Sequence, residues 1–257
     1  MSKQKFGNVW YEKKEGIAFL TLDDQKVLNA LSAGIRQGLV QSLDELENDE
    51  EVQVAIITGE GKTFCAGGDI SGFDTTIKFA KKFLPDVIGL LHKPEKISKP
   101  IISAVNGLAL GGGLELAIST DFIIASEKAK FGTPEPMLGL VSGFAVVRLG
   151  ELVGRPRAKE IMMTSDQFSA EEVYRMGMIN KVVPHEELMN EAIALAKRIM
   201  KNAPIAVRLV KSTVNRFLGG EDIAYALDGN AQLFGTKDVA EGVSAFMGKR
   251  KPVFKGE

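Results

Sequence analysis

The chain has 257 residues, 45% of them hydrophobic and 25% charged, enough for a full core and without a Pro/Ser/Gly-rich linker to divide it. Lys+Arg 32 against Asp+Glu 33 leave a net charge of -1, so no global positive field favours a nucleic-acid partner. One cysteine, Cys65, excludes an internal disulfide. With only His92 and His185 as imidazoles, in no metal-ligand spacing, no metal is expected.

The opening MSKQKFGNVWYEKKEG lacks an apolar signal core, and the most apolar stretch, Ile101 to Ile118, is interrupted by Asn106, three glycines and Glu115. A cytoplasmic protein without a membrane partner is therefore expected. The basic cluster Lys249, Arg250, Lys251 and Lys255 reads first as a solvated tail.

In chain order, residues 16–22 (GIAFLTL) predict a strand. From Leu28 onward Leu31, Ile35, Leu39, Leu43 and Leu46 recur at helical spacing, predicting an amphipathic helix. A strand over 52–58 (VQVAIIT) runs into a loop of small residues over 59–68 (GEGKTFCAGG). The pattern returns as a strand at 100–105, helical composition at 111–120 and a strand at 121–125. Residues 180–183 close the strand pattern. Helices are expected over 186–201, 204–217, 221–233 and 239–247. The reading is an α/β core over 1–195 and a helical region over 196–257.

Three segments could carry chemistry. In Asn106 to Leu116 (NGLALGGGLEL), three glycines open a helix, where unpaired N–H groups and the helix dipole favour an oxyanion. Close helix–strand packing would also use such glycines. Glu115 stands in the first turn of the same helix among Leu114, Leu116, Ala117 and Ile118, where it either finds polar partners or has its pKa raised toward acid/base use. Glu135 sits in FGTPEPMLG (131–139), which taken alone also suits a surface turn. The third segment, FCAGGDI (64–70), can turn backbone N–H groups toward a ligand or be a tight turn.

Taken together, KVLNAL at 26–31, GKTFCAGGDISGF at 61–73, KPIISAVNGLALGGGLELAISTD at 99–121 and FGTPEPMLGL at 131–140 resemble the crotonase (enoyl-CoA hydratase/isomerase) family. The tail SAFMGKRKPVFK at 244–255 is similar to the family's C-terminal segment. The resemblance implies a spiral of repeated ββα units with a C-terminal helical region used for trimer assembly, so a homotrimer or a hexamer of two trimers is expected. It implies that the N–H groups of Ala66 and Gly112 bind a thioester oxygen, and that Glu115 and Glu135 act as the acid/base pair of an enoyl-CoA hydratase.

It also implies an acyl-CoA groove lined by Lys26, Val27, Leu28, Ala66, Gly67, Gly68, Asp69, Ile70, Gly112 and Gly143, with Phe246 and Lys249 at the nucleotide. No separate cofactor is implied, since coenzyme A enters as part of the substrate. Isomerisation, or hydration of a cyclic or branched acyl-CoA, is the nearest alternative. A non-catalytic binding protein is more remote, and a serine hydrolase is disfavoured because residues 139–143 (GLVSG) do not form a G-x-S-x-G elbow. The chain departs from the family's usual glycine-rich stretch at Ser142-Gly143-Phe144-Ala145-Val146-Val147-Arg148, where larger side chains would narrow or reshape the pocket beside Glu135. It also has Asp23-Asp24-Gln25 in place of the usual Asn-Arg-Pro.

Overall fold

The computed structural model describes residues 3–202, 204–215, 231 and 234–253. The expected helix over 221–233 lies outside them except for Ala231, as do Phe217 and Lys255.

Among the described residues, two sheets are built from eleven strands: β1 (Lys3–Phe6), β2 (Val9–Lys14), β3 (Ile17–Leu22), β4 (Val54–Gly59), β5 (Thr63–Cys65), β6 (Ile101–Val105), β7 (Leu108–Leu110), β8 (Phe122–Ser126), β9 (Lys130–Gly132), β10 (Phe168–Ser169) and β11 (Lys181–Val183). The larger sheet runs β1-β2-β3-β4-β6-β8-β11, antiparallel through β3 and parallel beyond it; the smaller runs β10-β9-β7-β5. β4, β6 and β8 each pass through a short loop to a second strand, β5, β7 and β9, in the smaller sheet. These are the expected ββα repeats.

The helices are α1 (Ala33–Asn48), α2 (Ile77–Lys96), α3 (Gly112–Ile118), α4 (Ala145–Val153), α5 (Arg155–Thr164), α6 (Ala170–Arg175), α7 (Leu188–Ile199), α8 (Pro204–Asn215) and α9 (Lys237–Met247). The central parallel strands are buried on both faces, which is why they read as unbroken apolar runs. Ala55, Ile57, Ile101, Val105, Ile123 and Ala125 join the core shared with α1 and α3. Their neighbours Val54, Ile56, Ile102, Ala104 and Ile124 pack under Leu188, Ala192 and Ala196 of α7. Period two along the strands meets period four along the helix.

The helix predicted from Leu28 begins later, at Ala33. Ser32 caps it by accepting the Ile35 N–H, and Leu28 and Asn29 before it are left-handed, with φ of 53° and 54°. Asn29 holds that shape through side-chain bonds to the Asp24 N–H and to the Glu60 and Thr63 carbonyls. Leu31 is apolar for another reason: it pairs with the 66–68 loop, its N–H donating to the Gly67 carbonyl at 2.7 Å. The β1–β2 hairpin and α2 were not anticipated. α2 carries Pro85 and Pro94 within its span, a pattern that argues against a helix when read locally.

The substituted Asp23-Asp24 pair is structural. Asp23 accepts from Trp10 Nε1 and Lys5, and Asp24 accepts from Asn8 and Ser32.

Candidate active site

A cavity of about 340 Å³ opens between the 66–70 loop, the start of α3, α2 and the 134–143 segment. Val27, Ala66, Gly67, Gly68, Asp69, Ile70, Gly112, Glu115, Glu135, Gly143 and Phe246 line it. Lys26, Leu28 and Lys249 are exposed and are not among the lining residues.

The three glycines serve both purposes that the sequence left open. Gly113 is there for packing, since a Cβ would overlap the Cys65 carbonyl. Gly111 has φ of +51°, and a Cβ on it would press to 2.7 Å from Glu135 Oε1. Gly112, the first residue of α3, has an N–H with no acceptor among the described residues.

The second expected donor requires correction. The Ala66 N–H already donates to the Leu28 carbonyl at 3.1 Å, as part of the pairing between segments 28–31 and 66–68. The Gly68 N–H has no acceptor among the described residues, and a Cβ built on Gly112 would lie 3.6 Å from its nitrogen. Gly68 and Gly112 therefore bring two N–H groups without acceptors close together in the cavity lining. The signal was present in the sequence as the Gly67-Gly68 pair, but only pairing with residues 28–31 shows which amide is consumed.

Glu115 projects from the first turn of α3 and is 5% exposed. Its Oε1 accepts the N–H groups of Phe144 at 2.7 Å and Ala145 at 2.9 Å, the free donors that open α4. Burial pushes its pKa up, and these two bonds oppose the shift. Glu135 opens a short 3₁₀ turn, and its Oε2 is buried without a hydrogen-bond partner. Burial, and next the charge of Glu115, push it up to about 8; the nearby Ser142 hydroxyl opposes this only weakly. Burial thus drives both carboxyls toward their protonated forms, while the two backbone N–H bonds favour the ionised form of Glu115 and Glu135 Oε2 has no hydrogen-bond partner among the described residues.

Of the departure at 142–148, Ser142 and Gly143 line the cavity. Phe144 and Ala145 are fully buried away from it, and Val146 is exposed; none is among the lining residues. This segment contributes backbone N–H groups instead, a role that side-chain reading of the sequence missed. Sequence reading also missed the aromatic wall of Phe73, Phe83 and Phe234. Cys65 is buried, its thiol pushed up to about 12 by burial, and is unsuited to act as a nucleophile. Among the described residues no helix is long and apolar enough to cross a membrane.

Two backbone N–H groups without acceptors among the described residues, set in one cavity with two carboxyls, define a class of site: one that stabilises negative charge on a carbonyl oxygen while moving protons at neighbouring carbons. Residues 12–257 match the enoyl-CoA hydratase/isomerase family, and the chain belongs to that family. It is 41% identical to the short-chain-enoyl-CoA hydratase of Clostridium acetobutylicum, across 96% of this chain and 97% of that one. Identity to the crotonyl-CoA hydratase of Syntrophomonas wolfei is 40%, across 97% and 98%. Among solved structures, a carnitinyl-CoA hydratase from Mycobacterium avium superposes with a TM-score of 0.87 at 34% identity, covering 98% of this chain and 99% of the other.

Proposed function

We propose that the protein is an enoyl-CoA hydratase, adding water reversibly across the 2,3 double bond of a 2-enoyl-CoA thioester to give a 3-hydroxyacyl-CoA. The observation that carries this reading is the pair of carboxyls in one cavity, Glu115 held by two backbone N–H groups and Glu135 with a buried oxygen that has no hydrogen-bond partner among the described residues. The thioester oxygen accepts the Gly68 and Gly112 N–H groups, which bind it more strongly as enolate charge develops. Glu115 takes a proton from the attacking water as oxygen bonds to C3, and Glu135 delivers its proton to C2. Coenzyme A arrives as part of the substrate, and the reaction needs no separate cofactor. Isomerisation needs one group to move a proton between carbons; two carboxyls in one cavity with different hydrogen-bond partners suit water addition better.

The test is loss of absorbance of the conjugated thioester when the protein is mixed with crotonyl-CoA. Hydration requires ionised Glu115 and protonated Glu135. The rate is therefore expected to fall as pH rises through about 8, where Glu135 loses its proton. On the acid side it falls above the ordinary carboxylate range, because burial raises Glu115. A profile flat across the alkaline range overturns the proton assignment; absence of turnover overturns the reaction.

The homotrimer reading is supported by α8, which exposes Ile205, Leu209, Val210 and Val214. A face of this kind suits burial against another copy. Light scattering is expected to give three or six times the chain mass; a monomer overturns the reading.

A further inference from the structure

The two N–H groups that hold Glu115 belong to a segment clamped from the other side, and this rests on the hydratase reading above. Arg148, in the first turn of α4, is 3% exposed. Its Nε and Nη2 donate to the two oxygens of Glu95, in the last turn of α2, at 2.9 and 3.1 Å. Glu95 Oε2 also lies 3.2 Å from His92 Nε2. Arg148 stands 5.6 Å from the centre of the Phe144 ring and His92 at 6.4 Å, ring to ring. The Arg148 N–H donates to the Phe144 carbonyl at 3.1 Å. Phe144 is thus fixed through both its ring and its backbone, and its N–H makes the shorter of the two bonds to Glu115.

We propose that Glu95 and Arg148 are positioning residues for Glu115, acting through Phe144. A buried cation in the first turn of a helix stands against the helix dipole, and an apolar side chain would fill the space at less cost. What the ion pair adds is a two-pronged, planar contact that fixes the rotation of α4 against α2. The rotation sets where the Phe144 and Ala145 N–H groups point, and hence where the Glu115 carboxylate lies relative to the attacking water. The clamp does not touch Gly68, Gly112 or Glu135.

The test uses Glu95→Gln, Arg148→Met and the neutral double variant, which leaves no unpaired buried charge if either single variant fails to fold. Each is assayed for kcat and KM with crotonyl-CoA, and for exchange of the C2 hydrogens of butyryl-CoA with deuterium from solvent. That exchange is read above about pH 8, where ionised Glu135 takes the C2 proton and returns a deuteron from solvent while the two backbone donors hold the enolate oxygen. The folded variants are expected to lose about 10- to 100-fold in kcat with KM unchanged, the cost of misplacing a catalytic group, while C2 exchange persists. Unchanged kcat in the folded double variant overturns the proposal. So does a parallel loss of hydration and exchange, which marks general loosening of the site. Wild-type protein that exchanges but does not hydrate instead overturns the hydratase reading, and this proposal with it.

Discussion

Replacing Glu115 by Gln is expected to lower kcat for crotonyl-CoA hydration by about 10²- to 10⁴-fold, the range for loss of a positioned general base. The amide is isosteric and can still accept the Phe144 and Ala145 N–H groups, so the local structure persists while the base is lost. Glu135→Gln should cost a similar factor by removing the proton delivered to C2. The two carboxyls act in one step, so the double variant should be little slower than the worse single one. Binding of butyryl-CoA, which uses the groove and the backbone donors, should survive in all three. Calorimetric titration with butyryl-CoA beside the hydration assay checks this, and normal turnover by either single variant refutes the carboxyl-pair mechanism.

The second large effect concerns stability. Lys211 of α8 donates its ammonium protons to the Pro94 carbonyl at 2.9 Å, the Lys99 carbonyl at 3.0 Å and Asp121 Oδ2 at 2.7 Å. Asp121 Oδ2 in turn accepts the Ile101 N–H that opens β6. Burial raises the Asp121 pKa despite the attraction of Lys211, and burial lowers that of Lys211 despite Asp121. For both groups desolvation outweighs pairing, so the pair contributes little by itself; breaking it is what costs. Lys211→Met is expected to lose about 3–5 kcal/mol by leaving Asp121 buried without its partner. Lys211→Met/Asp121→Asn should recover much of that loss. Urea unfolding at one fixed protein concentration measures both; a loss below about 1 kcal/mol for the single variant would show that water already reaches Asp121.

Glu115 was legible as a candidate because it stands after three glycines and among apolar residues, whereas Glu135, which alone also suits a surface turn, was singled out by the family resemblance of the four motifs together. Likewise the central strands were legible because strands buried on both faces are written as continuous apolar runs. Helix α2 was hidden because its internal prolines contradict local helix propensity, and packing against the core overrides that preference. The donor at Gly68 was hidden for a different reason. Ala66 and Gly68 are equally plausible in a loop of small residues, and hydrogen bonds between segments distant along the chain decide which amide is left over.

The sequence alone therefore determined the family and the alternation of strands and helices, which follow from residue type and short-range spacing, and the resemblance to the family singled out the two acidic groups. Only the tertiary structure decided which backbone donors are free, how each carboxyl is hydrogen-bonded and what the altered 142–148 segment does. Those properties depend on burial and on partners brought together from distant parts of the chain. Phe144 shows the difference: its side chain is buried outside the cavity lining, and its N–H donates to Glu115.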